Sequence, residues 1–131
     1  MTPSSLPVRT VLVVDDVAGI RRLIEATLVG EDTTVIHARS GQSAVELALL
    51  HVPDLILLDL AMPGMDGAET VTALRSAPET QHIPVVIVTA LAHSDLAQQA
   101  LTRGANDLIE KPFRPAELRL VVDRWTSGAA A

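Results

Sequence analysis

The sequence predicts an α/β fold in which a five-stranded parallel sheet is covered by helices on both faces. Five apolar, strand-like runs alternate with amphipathic stretches along the 131 residues. Runs such as Val11–Val14 and Leu55–Leu58 are aliphatic at every position, which is typical of strands buried on both faces. The connections are short, and parallel strands need right-handed crossovers, so helices must lie between successive strands.

The strands are predicted from runs of Val, Leu and Ile that are bounded by turn residues or acids. We expect them near residues 10–14, 33–37, 55–59, 85–89 and 107–110. Helices are predicted from apolar residues three and four positions apart. We expect them near residues 20–28, 44–48, 68–74, 94–101 and 115–125.

Several single residues favour particular helix ends. Ser40 and Ser94 are suitable N-caps for the second and fourth helices. Gly104 is a suitable stop for the fourth helix, and Pro115 suits the first turn of the last one. We expect Trp125 to pack the end of the last helix onto the core.

Composition excludes several classes of protein. The net charge is −6 and no run of Lys or Arg stands out, so direct binding of nucleic acid is not expected. Cys is absent, which excludes disulfides, thiolate metal sites and a cysteine nucleophile. Neither a signal peptide nor a membrane span is recognisable, so we expect a cytoplasmic protein that does not enter a membrane. We expect a disordered leader over residues 1–8, one domain over 9–125 and a frayed tail over 126–131.

Acidic residues follow two of the predicted strands. Asp15 and Asp16 come directly after the first strand, and Asp59 closes the third. The carboxyl ends of parallel strands meet at one edge of the sheet, where ligands bind. Clustered carboxylates repel one another unless a cation lies among them, and oxygen ligands of this kind suit Mg²⁺. The alternative is that Asp15 and Asp16 only cap the first helix, but a doubled Asp facing a third acid favours the metal.

Asp59 is the candidate nucleophile. A carboxylate can attack a phosphoryl group and form an acyl phosphate, and the charge on the transferred group needs cations nearby. Mg²⁺ and Lys111 would supply them, while the Thr89 hydroxyl and the Ala90 amide could donate to phosphoryl oxygens. Taken alone, Lys111 could be a solvated lysine and Thr89 an ordinary strand residue. Their joint position at strand ends favours the chemical role.

Four blocks of sequence, in this order and at this spacing, resemble the response-regulator receiver domain of two-component signalling. The resemblance covers residues 9–125 and is closest in kind to single-domain chemotaxis regulators. The blocks are Val13–Asp16, Leu57–Gly67, Val88–Ala90, and Gly104–Asp107 with Lys111-Pro112-Phe113 behind it.

The resemblance implies a flavodoxin-like (βα)₅ doubly wound fold with strand order 2-1-3-4-5. It implies that Asp59 receives a phosphoryl group from a histidine kinase or a histidine phosphotransfer protein. Thr89, Lys111 and the Ala90 amide would hold the phosphoryl oxygens. The peptide bond between Lys111 and Pro112 would be cis.

The resemblance also implies a set of Mg²⁺ ligands. Asp16 would bind the ion directly and Asp15 through a water molecule. Asp59 and the backbone carbonyl of Ala61 would complete the protein ligands. Such a domain is a signalling switch rather than an enzyme, although it assists its own phosphorylation and dephosphorylation.

One position departs from the family pattern. Receivers usually carry Tyr or Phe three residues before the lysine, and here that residue is Leu108. Leucine has no ring that could turn inward when Thr89 is drawn to the phosphoryl group. We expect Leu108 to fill apolar space and the loop after Thr89 to carry the conformational change.

We expect a stand-alone receiver whose output is a protein–protein contact, with a downstream target or a second copy, through the face formed by residues 94–125. One alternative is a phosphatase or phosphotransferase with an aspartyl-phosphate intermediate. Such enzymes usually place a second Asp two residues after the nucleophile, where this chain has Ala61. The other alternative is a receiver-like binding module that works without phosphorylation, which the presence of Leu108 keeps open.

Overall fold

The computed structural model describes residues 8–30 and 32–126. Of the predicted leader, only Val8 is described, and of the predicted tail only Thr126, which is the last residue of a helix. The rest of these two segments lies outside the described residues. The predicted domain boundaries therefore stay predictions.

The five strands form one sheet in the order β2-β1-β3-β4-β5, and every pair of neighbours is parallel. Both the parallel sheet and its strand order are thus confirmed. The strands are β1 (Arg9–Val14), β2 (Thr33–Ala38), β3 (Leu55–Leu58), β4 (Val85–Thr89) and β5 (Asp107–Glu110). Strand β3 ends one residue earlier than predicted, so Asp59 is the first residue beyond it.

A helix follows each strand. The helices are α1 (Ala18–Leu28), α2 (Gly41–His51), α3 (Gly67–Ser76), α4 (Asp95–Thr102) and α5 (Pro115–Thr126). The side chains of Ser40 and Ser94 accept hydrogen bonds from the first turns of α2 and α4, which confirms both predicted N-caps. Gly104 follows α4 with a φ of 124°, a conformation that favours glycine. Within the described part of the chain, no helix is long and apolar enough to cross a membrane.

The core lies in two layers, one on each face of the sheet. Alternate strand residues point to opposite faces, so Leu12 packs under α2, α3 and α4 while Val11 packs under α1 and α5. Leu108 is half-buried against the first layer and Trp125 against the second, as predicted. Fully burying a Leu, Ile or Val side chain stabilises the fold by about 1.5–3 kcal/mol, and every residue of β3 contributes in this way.

Arg75, at the end of α3, fixes the approach to β5. Its guanidinium donates to the carbonyl of Gly104 at 2.9 Å and to the carbonyl of Ile83 at 2.8 Å. It also donates to the Asn106 side chain at 2.9 Å. Burial lowers the pKa of Arg75 from its ordinary value. These bonds hold the start of β5 in place. Lys111 directly follows the other end of β5, where the carboxyl ends of all five strands lie.

Candidate functional site

Three carboxylates meet at the carboxyl edge of the sheet. Val14 and Leu58 are partners in the pairing of β1 with β3, so the residues that follow them emerge side by side. One carboxylate oxygen from each of Asp15, Asp16 and Asp59 lies within 4.8 Å of the others. Asp15 and Asp59 are buried, at 2% and 8% relative exposure, whereas Asp16 is exposed. The predicted meeting of these acids is therefore confirmed.

The backbone holds the two buried acids in fixed orientations. The amide of Leu60 donates to Oδ1 of Asp59 at 2.8 Å, and the amide of Val17 donates to Oδ1 of Asp15 at 2.9 Å. Helix α3 starts very close behind Asp59, because a Cβ on Gly67 would lie only 2.8 Å from the Asp59 carbonyl oxygen. A glycine is needed there for this loop to be so tight.

The structure does not support the alternative in which Asp15 and Asp16 cap helix α1. The N-cap of α1 is Val17, and its side chain makes no capping bond. The free oxygen of Asp15 faces Lys111, and the Asp16 carboxylate belongs to the acidic group. Both acids are therefore directed toward the site.

Lys111 joins the two buried acids. Its Nζ atom lies 2.7 Å from Oδ2 of Asp15 and 3.4 Å from Oδ2 of Asp59. Its backbone amide donates to the Thr89 carbonyl at 2.9 Å, which ties the end of β5 to the end of β4. The bond between Lys111 and Pro112 is cis, as the resemblance implied. Three carboxylates thus lie together, and the ammonium group contacts only the two buried ones. Clustered negative charge of this kind favours the binding of a further cation.

Thr89 and Ala90 lie at the end of β4, on the same edge. Thr89 is fully buried, and its hydroxyl oxygen accepts a hydrogen bond from the Leu91 amide at 3.1 Å. A hydroxyl that accepts one bond can still donate its proton. Ala90 is exposed and lines a groove of about 290 Å³ with apolar residues of α1 and of the segment after β5. The other lining residues are Ile20, Leu23, Lys111, Pro112 and Phe113.

The donor set fits Mg²⁺. Magnesium prefers oxygen ligands at about 2.1 Å, so two ligands on opposite sides of one ion lie about 4.2 Å apart. The three carboxylate oxygens all lie within 4.8 Å of one another, which is compatible with this separation. Ala61 lies two residues after Asp59 and is exposed. Among the described residues, its carbonyl oxygen accepts no hydrogen bond. That carbonyl is consequently available as a further oxygen ligand.

Arg21 touches the site but was not predicted from the sequence. Its Nη1 atom donates to the backbone carbonyl of Asp15 at 2.5 Å. An arginine on an amphipathic helix usually faces solvent, and nothing in the local pattern separates Arg21 from its neighbour Arg22. Only the packing of α1 against the end of β1 reveals the contact.

Comparison with known proteins defines the class. A profile of the response regulator receiver domain family matches residues 11–123. The chain therefore belongs to the receiver domain family of response regulators, whose members are signalling switches and typically bind Mg²⁺ at an acidic cluster of this kind.

The individual relatives agree with this class. The response regulator PleD of Caulobacter vibrioides is 45% identical over 103 residues, which is 79% of this chain and 23% of PleD. The phosphate regulon transcriptional regulatory protein PhoB of Pseudomonas aeruginosa is 39% identical over 110 residues, 84% of this chain and 48% of PhoB. This chain thus spans less than half the length of either relative.

A solved structure is similar in both fold and sequence. The receiver domain of the sensor histidine kinase PA1611 from Pseudomonas aeruginosa matches with a TM-score of 0.85 and 30% identity. The match covers 92% of this chain and 99% of that domain. That structure has a magnesium ion coordinated in its active-site cleft.

Proposed function

We propose that this protein is a Mg²⁺-dependent receiver that accepts a phosphoryl group on Asp59. The observation that carries the proposal is the arrangement at the sheet edge. Three carboxylates lie within 4.8 Å of one another, and Lys111 contacts the two that are buried. This arrangement combines a nucleophile, a set of metal ligands and a fixed cation, which together are what phosphoryl transfer requires.

In the proposed reaction, a carboxylate oxygen of Asp59 attacks the phosphorus of a phosphohistidine on a histidine kinase or phosphotransfer protein. The new O–P bond forms as the P–N bond breaks, and the imidazole keeps the electron pair and takes up a proton. Asp15, Asp16, Asp59 and the Ala61 carbonyl would hold Mg²⁺, which supplies positive charge opposite the phosphoryl oxygens.

The remaining contacts to the phosphoryl group come from donors at the ends of β4 and β5. The Lys111 ammonium would leave its contact with Asp59 and donate to a phosphoryl oxygen. The buried hydroxyl of Thr89 and the amide of Ala90 would donate to the others. These donors act on charge that is spread over the transferred group, which is where electrostatic stabilisation lowers the barrier most.

The proposal is tested by intact mass after incubation with acetyl phosphate and Mg²⁺. We expect one added phosphoryl group on the wild type and none on Asp59→Asn, which keeps the size of the side chain but not its charge. A wild type that gains no phosphoryl group, even at short times and low temperature, would contradict the proposal.

A second candidate is a receiver-like module that binds a partner without phosphorylation. Leu108 favours it, because this half-buried leucine packs against the core and offers no ring that could report the state of Thr89. The two candidates differ in metal binding. A module without phosphoryl chemistry has no requirement for Mg²⁺ at Asp15 and Asp16, whereas the proposed receiver binds the ion before it is phosphorylated.

We propose that the turn between β4 and α4 transmits the phosphorylated state. The hydroxyl of Thr89 accepts from the Leu91 amide at 3.1 Å. The Leu91 carbonyl accepts from the Ser94 hydroxyl at 2.6 Å, and that hydroxyl oxygen accepts from the Ala97 amide at 3.2 Å. A displacement of Thr89 toward the phosphoryl group would therefore be passed along hydrogen bonds to the first turn of α4.

The face that would display this change is formed by residues 94–125. It presents exposed polar side chains and the exposed apolar residues Leu101 and Leu120. The polar residues are Gln98, Gln99, Arg103, Arg114, Glu117 and Arg119. We propose that this face binds a downstream protein or a second copy of the chain. A sedimentation profile that is unchanged by phosphorylation would contradict the second copy and leave the downstream protein as the partner.

A further inference from the structure

We infer that Arg21 is a positioning residue that holds the metal-binding acids in place. The inference rests on the proposed function, because it concerns how tightly Asp15 and Asp16 bind Mg²⁺. Arg21 itself would not touch the ion. Its role would be to fix the backbone from which both carboxylates extend.

The contact is made to the peptide group between the two acids. Nη1 of Arg21 donates to the carbonyl oxygen of Asp15 at 2.5 Å, and this carbonyl belongs to the peptide that links Asp15 to Asp16. A charged donor at this distance makes a strong hydrogen bond. The guanidinium therefore fixes the plane of that peptide, and with it the direction in which the exposed Asp16 side chain leaves the backbone.

The same short loop is tied to α1 at neighbouring positions. The amide of Val17 donates to the Asp15 carboxylate at 2.9 Å, and the amide of Arg21 donates to the Val17 carbonyl at 3.3 Å. Arg21 thus bonds through its backbone to one end of the loop and through its side chain to the middle. Without the Arg21 side chain, the carbonyl of the peptide between Asp15 and Asp16 would lose the hydrogen bond that it accepts from the guanidinium.

The environment of the Arg21 side chain, which is partly buried, indicates that this contact is specific. Nε of Arg21 is buried and has no hydrogen-bond partner among the described residues. Polar atoms of this kind usually find a partner, and a long side chain on a helix can normally extend into water to do so. Arg22, the next residue, does extend and is exposed. The Arg21 side chain instead reaches inward to the Asp15 carbonyl.

Two explanations of the contact predict opposite effects on Mg²⁺ affinity. If Arg21 acted only through its charge, its removal would take a positive charge away from a cation site, and Mg²⁺ would bind more tightly. If Arg21 positions the acids, its removal weakens binding. Loss of a residue that orients metal ligands typically reduces affinity by about 10- to 100-fold.

The test is isothermal titration calorimetry, in which Mg²⁺ is titrated into the wild-type protein and into the variants Arg21→Met and Arg22→Met. Both variants lose one positive charge from the same helix, and Met preserves helix propensity and an apolar stem. We expect the Kd for Mg²⁺ to rise about tenfold in Arg21→Met and to stay close to the wild-type value in Arg22→Met. We expect Arg21→Lys to recover most of the affinity, since an ammonium group can donate to the same carbonyl.

An Arg21→Met variant that binds Mg²⁺ as tightly as the wild type, or more tightly, would overturn the inference. Thermal unfolding without Mg²⁺ establishes that each variant is folded, and Arg21→Gln carries the same prediction if Arg21→Met is not. A wild type that binds no Mg²⁺ would instead contradict the proposed function. The two failures are therefore distinguishable in one set of titrations.

Discussion

Charged side chains lie both where the strands of the sheet end, the carboxyl edge, and where they begin, the amino edge, but the partners of the described acids differ between the two. At the carboxyl edge, Asp15, Asp16 and Asp59 lie together, and the Lys111 ammonium contacts the two that are buried. At the amino edge, acids are matched by separate donors, among them the amide of Thr10 for Asp54. We propose that the carboxyl edge, where three acids lie together, is the one that takes up a cation and a phosphoryl group.

At the amino edge, the same residue types make contacts that join strands to helices. Asp107 accepts from the Trp125 indole at 3.1 Å and from the Leu108 amide at 2.8 Å. Arg9 donates to Asp123 at 2.6 Å, which ties β1 to α5. These groups stabilise the positions of strands and helices. A charged residue at a strand end is therefore a sign of a ligand site only where like charges cluster around it.

The largest effect on stability is expected from Lys111→Met. Asp15 is only 2% exposed and would lose its cation, and breaking a buried ion pair in this way costs about 3–5 kcal/mol. We expect a loss near the lower end of this range, about 3 kcal/mol, because Lys111 is partly exposed. Urea unfolding in metal-free buffer measures the loss, and added Mg²⁺ should reverse much of it. Arg114→Met, which removes a nearby exposed cation, is the control.

If Lys111→Met and Arg114→Met had the same stability in metal-free buffer, the carboxyl edge would not depend on its lysine. The proposed difference between the carboxyl edge and the amino edge would then not hold for Asp15, the most buried of the three acids.

A slightly smaller effect is expected when Mg²⁺ is added, and it distinguishes metal binding from folding stability. In the wild type, Mg²⁺ at about one hundred times its Kd should stabilise the fold by about 2.7 kcal/mol. Asp16→Asn should lose this gain, while its metal-free stability stays the same or rises because two like charges remain in place of three. Asp54→Asn, at the amino edge, should keep the gain. Thermal unfolding at several Mg²⁺ concentrations provides the measurement, and an undiminished gain in Asp16→Asn would remove Asp16 from the metal site.

The smallest effect is expected at the amino edge. Trp125→Phe keeps an aromatic ring on the core but loses the hydrogen bond to Asp107, which should lower stability by about 1 kcal/mol. The affinity for Mg²⁺ should not change, because the substitution lies at the far edge of the sheet. Circular dichroism measures the stability and titration calorimetry the affinity. A change in affinity would mean that the two edges are coupled.

The features that could be predicted from the sequence depend on backbone periodicity. The contacts that could not be predicted depend on side-chain conformation. The aliphatic runs predicted the parallel sheet, and the meeting of Asp15, Asp16 and Asp59 followed because carboxyl ends of parallel strands share an edge. The strand order came from the family resemblance alone. The contact of Arg21 with Asp15 could not be predicted, since Arg21 and Arg22 look alike in the sequence.

The contacts of the amino edge were missed for a similar reason. The indole of Trp125 and the carboxylate of Asp107 are 18 residues apart, and they meet only because α5 packs back along the sheet. The sequence placed Trp125 against the core but gave no sign of its polar partner. Contacts of this kind depend on the angle and register of packed helices.

The most direct test of the central claim is to find which residue carries the phosphoryl group. Borohydride reduces an acyl phosphate of aspartate to homoserine, so the reacted position can be read by peptide mass spectrometry after treatment with acetyl phosphate and Mg²⁺. We expect homoserine at position 59 and intact aspartates at positions 15 and 16. Homoserine at either of those two positions, with Asp59 unchanged, would contradict it.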